Sequence, residues 1–304
     1  MKKLEFIRTA LFVPGNRPDR INKAINTSAD AVIADLEDAV PPALKAETRP
    51  VVREKILEHH SPRLLVRVNA LDTEFVQDDL DELVVEGLAC IIFPKIEKPE
   101  HIQAANRLLT DAEAKKGIPT GAISIIALIE SALGVENAFR IISEKTNPAR
   151  LFTAAFGAAD FTLDMGIEMT KAGEEIAFPR ARLAIACRAA GIEPPLDTPF
   201  MIDLKDISAL EADAQSAKKL GFQGKLCIHP NQVDICNKIF SPTDKDIEQA
   251  HKIVAAFNEA EAAGTGVLQV DGKFIDLPLV KQAQRILKIA EKVIHSGIEE
   301  NSNG

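Results

Sequence analysis

The chain has 304 residues, 46% of them hydrophobic, which is ample for a full core; its length is close to the ~250 residues of an eight-fold βα barrel with a remainder for an appendage, and also suits two ordinary domains. A net charge of −9 excludes a broad basic face for nucleic acid, so any anionic ligand must be met by basic residues gathered locally. No unbroken apolar run approaches the roughly 20 residues that cross a bilayer, so no membrane partner is expected.

The opening MKKLEFIRTALFVPG has only a short apolar part, ending in a turn. It reads as a first strand (11–13) rather than a signal peptide, and the expected location is cytoplasmic. A polar stretch with helical spacing at Ile21 and Ile25 follows. The second strand, 31–34, runs into Asp35-Leu36-Glu37-Asp38. Then come a helix at 45–59, a strand at 64–68 ending at Asn69, a helix at 74–85, a strand at 90–93 ending at Pro94-Lys95, and a helix at 100–116. The strand 123–129 ends at Glu130, a helix covers 131–144, and the strand 151–156 ends in Gly-Ala-Ala-Asp160. A helix at 179–190, a weaker strand at 197–202, a helix at 209–220 and a strand at 225–228 ending at His229 complete eight units. Seven of the eight strands are near-continuously apolar, which with the alternating helices implies a parallel sheet covered on both faces, and eight units imply an α/β fold closed as a TIM-like (β/α)8 barrel over residues 1–240. Residues 241–304 read as an arm: a helix at 246–263, a turn at Gly264-Thr-Gly266, a hairpin (267–270 and 274–275) around Asp271-Gly272, a helix at 279–296 and a frayed tail NSNG. Cys90, Cys187, Cys227 and Cys236 form no C-x-x-C pair and read as buried or free thiols, without a zinc site.

In such a barrel the C-terminal strand ends face the active site. Here they carry Glu37, Asp38, Arg67, Asn69, Lys95, Glu130, Asp160 and His229, more charge than packing needs. Glu130 and Asp160, after the fifth and sixth strands, suit a hard divalent cation that keeps water ligands. A metal-free acid/base pair is the alternative, and a carboxylate at the start of a helix also suits Glu130. Arg67, inside Leu-Leu-Val-Arg-Val-Asn, needs an anionic partner: a substrate carboxylate or thioester oxygen, or a salt bridge to Glu37 or Asp38. Arg17, Arg20 and Lys23, beside a Pro-Gly turn and a helix start, suit phosphate or a solvated basic face.

The segments LFVPGNRPDR (11–20), DLEDAV (35–40), VRVN (66–69), PKIE (94–97), IESALGV (129–135), FGAADF (156–161), RARLAIACRAAGI (180–192), GFQGKLCIHPNQ (221–232) and DGKFIDLP (271–278) together resemble the citrate lyase β-subunit/malyl-CoA lyase family of HpcH/HpaI-type aldolases, over nearly the whole chain. The resemblance implies Mg²⁺, or Mn²⁺ in its place, on Glu130 and Asp160, with Glu130 also at the substrate. It makes Arg67 the substrate-oxygen clamp and has Glu37 and Asp38 holding metal-bound waters. It places Arg17, with Arg20 and Lys23 around it, on the coenzyme A phosphates. It makes Asp276 the catalytic acid/base, delivered by the C-terminal arm into the site of a neighbouring subunit of a homo-oligomer, a homotrimer or a hexamer. The implied reaction cleaves a 3-hydroxyacyl-CoA thioester of the citramalyl-CoA or malyl-CoA kind to acetyl-CoA and a 2-keto acid. Two enzymatic alternatives share these motifs, a citrate lyase β-subunit acting on citryl bound to an acyl-carrier protein and a malyl-CoA thioesterase. A third is a catalytically idle barrel that serves assembly.

Overall fold

The computed structural model describes residues 6–262, 268–271 and 273–301. It divides into two compact units, Met1–Phe240 and Ser241–Gly304. The first runs β1 (Thr9–Pro14), α1 (Pro18–Ile25), β2 (Ala31–Asp35), α2 (Lys45–His59), β3 (Leu64–Arg67), α3 (Val76–Leu83), β4 (Cys90–Phe93), α4 (Pro99–Lys116), β5 (Ser124–Ile129), α5 (Ala132–Glu136), α6 (Ala138–Ile142), β6 (Leu151–Phe156), α7 (Ala158–Met165), α8 (Ala177–Ala190), β7 (Leu196–Asp197), α9 (Ile207–Leu220), β8 (Gly224–Cys227) and α10 (Val233–Phe240). The eight strands form a closed barrel in sequence order, β1 pairing in parallel with both β2 and β8. This is the TIM-like (β/α)8 architecture that the alternation implied.

Period-two alternation explains why the strands read as continuously apolar. One set of residues, including Leu11, Val32, Val66, Ile91 and Phe93, packs outward against the helices. The other, including Ala10, Ile33, Leu65, Ile92, Ile126 and Leu128, fills the interior. All four cysteines are buried and free. Among the described residues no helix is long and apolar enough to cross a membrane.

Four elements differ from the sequence reading. The expected strand 197–202 is only Leu196–Asp197: the Thr198 hydroxyl is engaged by the Ala158 N–H at 3.0 Å, and Pro199 has no N–H to extend the ladder. What holds so short a strand is charge. Asp197 accepts from Arg180 at 2.8 and 2.9 Å and from Lys225 at 2.5 Å, and both cations also bind Asp213, at 2.7 and 2.6 Å. The expected helix 131–144 is two short pieces broken at Asn137, whose side-chain amide donates instead to the Glu97 carbonyl at 2.9 Å. Helices α7 and α10, each of eight residues, were not expected; α7 lies between Gly157 and Gly166, which hid it in a loop-like composition.

In the second unit, α11 (Asp244–Ala262) is followed by the antiparallel pair β9 (Leu268–Val270) and β10 (Lys273–Ile275) and by α12 (Leu277–Asn301). Val270, Ile275 and Val280 pack with Ile253, Ala256 and Phe257. The expected turn at 264–266, the ends of the hairpin at Val267 and Gly272, and the tail at 302–304 lie outside the described residues.

Candidate active site at the barrel mouth

The residues following β2 to β6 converge. Arg67, the last residue of β3, is 8% exposed. Its Nε and Nη2 donate to the two oxygens of Asp35 at 2.7 Å each, Nη1 lies 3.0 Å from Glu37 and Nη2 3.5 Å from Asp38. Its guanidinium stacks over Phe12, 5.0 Å from the ring centroid. Burial opposes the charge, but the hydrogen bonds to Asp35 and the attraction of Asp35, Glu37 and Asp38 outweigh it and hold Arg67 firmly protonated. Asp35, the principal partner, was not singled out in the sequence: it closes an apolar strand and anchors Arg67 from the neighbouring one.

Glu37 is 6% exposed. Arg67 and the Lys95 ammonium both lie 3.0 Å from its oxygens, yet neither oxygen has a well-aligned hydrogen bond. Desolvation pushes its pKa up against the pull of Arg67. Asp38 is exposed. The loop carrying both is held from beneath by Lys45, whose buried ammonium donates to the Leu36 and Glu37 carbonyls at 2.7 and 2.8 Å and to Asn69 Oδ1 at 2.5 Å. Three donors thus meet three acceptors. Sequence reasoning passed over Lys45; its one signal is a cation as the first residue of a helix, where the macrodipole disfavours it.

Glu130 directly follows β5 and is 3% exposed. Its Oε1 accepts the Lys95 backbone N–H at 2.8 Å. Burial, then the negative charges of Glu37 and Asp160, push its pKa up to about 8. Asp160 is half-buried in the first turn of α7, not on a strand end as expected. The helix reaches Glu130 because residue 157 is glycine: a Cβ there would lie 2.6 Å from Glu130 Oε2 and 2.7 Å from its Cβ. Glu130 and Asp160 border one cleft of about 640 Å³, with Lys95, Lys98, His101 and Ser131 among its lining.

Among the described residues no group of three or more His, Cys, Asp and Glu side chains is arranged to hold a metal ion. Two carboxylates facing one cleft are nonetheless a sufficient protein contribution for a cation that retains water. Such a cation would relieve the burial and repulsion that raise Glu130, so the donor set fits a hard divalent ion.

The remaining expected residues are dispersed. Arg17, Arg20 and Lys23 are exposed on or beside α1, and Arg17 forks onto Asp19 at 3.0 Å. Asn69 is spent on Asp79 and Lys45. His229 caps the turn Pro230–Gln232, its Nδ1 accepting from Asn231 N. Asp276 belongs to the second unit, is exposed, and accepts the Leu279 N–H at 3.1 Å at the start of α12.

The model of the HpcH/HpaI aldolase/citrate lyase family matches residues 8–230. The chain belongs to this family of carbon–carbon lyases. The citrate lyase subunit beta of Leuconostoc mesenteroides subsp. cremoris is 39% identical over 285 residues, 93% of each chain. The L-malyl-CoA/beta-methylmalyl-CoA lyase of Cereibacter sphaeroides is 34% identical over 308 aligned residues, covering 94% of this chain and 95% of that one. Among solved family structures, CitE of Mycobacterium tuberculosis in complex with magnesium, acetoacetate and coenzyme A superposes with a TM-score of 0.75 at 28% identity, over 94% of this chain and 98% of that one.

Proposed function

We propose that the chain is a Mg²⁺-dependent lyase that cleaves a 3-hydroxyacyl-CoA thioester of the citramalyl-CoA or malyl-CoA kind to acetyl-CoA and a 2-keto acid. The observation that carries this reading is Glu130, a buried carboxylate raised to about 8 beside Asp160 in an open cleft, in a family where a CitE relative binds magnesium and coenzyme A. Glu130 and Asp160 hold the cation, with Mn²⁺ able to take its place. When bound, the ion supplies Lewis-acid stabilisation to the hydroxyl and carboxylate oxygens of the substrate and lowers the hydroxyl pKa.

The chain's own groups do the rest. As the hydroxyl proton passes to a water ordered by Glu37 and Asp38, the bond between C2 and C3 breaks, C3 becomes the keto carbon and the electron pair passes into the thioester enolate. Arg67 meets the developing negative charge. With Asp35 gripping two of its donors, it is oriented before substrate arrives and needs no reorganisation. Glu37, held by Arg67 and Lys95, and Asp38 order water and the substrate hydroxyl. Asp276 returns a proton to the enolate carbon, or removes it in condensation. In this reading the arm (241–304) packs on a neighbouring subunit of a homo-oligomer, a trimer or a hexamer, and delivers Asp276 there. Exposed Phe274 and Leu277 flank that aspartate and give it an apolar surface to dock. Arg17, Arg20 and Lys23 meet the coenzyme A phosphates.

A second reading, lysis of citryl on an acyl-carrier protein within a complex, is favoured by the 39% identity to a citrate lyase subunit beta. A panel of citramalyl-, malyl- and citryl-CoA and citryl-acyl-carrier protein with the purified chain decides between them. Release of acetyl-CoA and a keto acid with Mg²⁺, lost with chelator and in Glu130→Ala or Asp160→Ala, is expected. Turnover only with an acyl-carrier substrate establishes the second reading. Free malate or citramalate as the product replaces the lyase with a thioesterase.

A further inference from the structure

Three non-glycine residues among those described have a left-handed backbone: His60 (φ 44°), Lys95 (φ 54°) and Asp271 (φ 51°). His60 ends helix α2 and Asp271 lies between β9 and β10, positions where such a conformation is ordinary. Lys95 has neither excuse. It lies just beyond β4, and lysine is not among the residues that visit this region readily. The twist is pinned on both sides: Phe93 is in register with Ala127 of β5, and the Ile96 N–H donates to the Leu128 carbonyl at 3.1 Å. Its result is geometric, since it turns the Lys95 N–H out of the ladder and onto Glu130 Oε1 at 2.8 Å. Glu130 Oε2 is left against Gly157, at the start of the helix carrying Asp160.

Glycine would adopt this conformation at less cost. The side chain therefore has a use of its own: the ammonium reaches Glu37 Oε1 at 3.0 Å from the wall of the cleft. We propose that Lys95 is a positioning residue for the metal site, its left-handed amide fixing Glu130 and its ammonium fixing Glu37, so that one residue sets two of the buried carboxylates of the barrel mouth. This rests on the metal reading above and adds a residue to which that reading gave no role.

The test separates backbone from charge. Glycine keeps the twist and loses the ammonium; valine, β-branched, loses the ammonium and resists the twist; arginine keeps a positive charge and the backbone preference of lysine. Mg²⁺ affinity by titration calorimetry should stay within about threefold of wild type in Lys95→Arg and Lys95→Gly and fall at least tenfold in Lys95→Val. If valine prevents folding, Lys95→Ala takes its place, with a smaller loss in the same direction. Equal affinity in the glycine variant and in the valine or alanine variant overturns the backbone role. A kcat/KM of Lys95→Gly equal to that of Lys95→Arg overturns the ammonium role. A metal-free measurement stands beside these: in chelated protein the Lys95 amide should resist hydrogen exchange in wild type and lose that protection in Glu130→Ala. Unchanged protection overturns the proposal even if wild type binds no Mg²⁺, whereas absence of Mg²⁺ binding with protection lost strikes only the metal reading.

Discussion

Gly157→Ala is the sharpest probe of how closely the two halves of the site approach. The backbone there has φ −108° and ψ 90°, open to any L-residue, so the added methyl acts only through space. It would stand 2.6 Å from Glu130 Oε2 and 2.7 Å from Glu130 Cβ, whereas carbon contacts are comfortable at about 3.5 Å. One partner must therefore retreat by roughly 0.8–0.9 Å. Glu130 cannot do so freely, because it is 3% exposed and tied to the Lys95 amide; α7 cannot either, because the Ala158 N–H is bonded to Thr198. Overpacking of this kind is worth about 1–3 kcal/mol, a fall in Tm of roughly 2–12 °C for a domain of this size. A displacement near 1 Å at the reacting centre lowers rate by about 100-fold. Steady-state kinetics on the preferred thioester at saturating Mg²⁺, with melting curves alongside, should show kcat/KM down by about two orders of magnitude in a protein that still folds. A variant within threefold of wild type would refute the claim that glycine is required by the Glu130 carboxylate.

Three further predictions test other parts of the site. In chelated protein Glu130 stays protonated when folded up to about pH 8 but ionises when unfolded near 4.5. Folding therefore takes up a proton between those values, and stability falls as pH rises through that window. Glu130→Gln lacks this dependence, so its Tm should exceed that of wild type by several degrees at pH 8, on the order of 3 kcal/mol, with the gap closing towards pH 4.5; parallel pH profiles by calorimetry would remove the buried-carboxylate argument. Lys45→Met removes the ammonium from the Leu36 carbonyl and Asn69 Oδ1 and leaves the Glu37 carbonyl only the Val40 N–H at 3.3 Å, which should destabilise the fold by about 3 kcal/mol and lower the Tm by roughly 6–12 °C; a fall under 2 °C means that water replaces the ammonium. Finally, Asp276→Asn and Glu130→Ala, each inactive alone, should regain part of wild-type activity when their subunits are mixed and exchanged. No recovery in demonstrably mixed oligomers means that Asp276 does not act across subunits.

The barrel was legible because seven apolar runs and one weaker strand, separated by helices and turn residues, can be counted along a single chain. Glu130 was legible because a charge immediately after such a run has one natural place to go. Asp35 and Lys45 were not, since their meaning lies in partners on other elements: Asp35 grips an arginine 32 residues away and Lys45 an asparagine 24 away. The break at Asn137 likewise depends on a carbonyl 40 residues off. Asp160 was recognised as an acid but misplaced, because eight residues between two glycines do not show a helical period. Asp276 entered only through family resemblance; nothing local distinguishes it from an ordinary helix cap, the role its carboxylate fills at α12.

A barrel with one two-residue stave is not equally strong around its circumference. Among the described residues only Ala155, Gly224 and Lys225 pair with β7, so its closure depends on Asp197 and its two cations more than on a hydrogen-bond ladder. Local opening there costs less than elsewhere, and amide exchange should start at this seam. Thr198, the next residue, braces the first turn of the helix carrying Asp160. Because Arg180, Asp197 and Lys225 are almost fully buried, added salt barely screens this clasp, so one wall of the cleft rests on charges that the solvent does not reach until the seam itself opens.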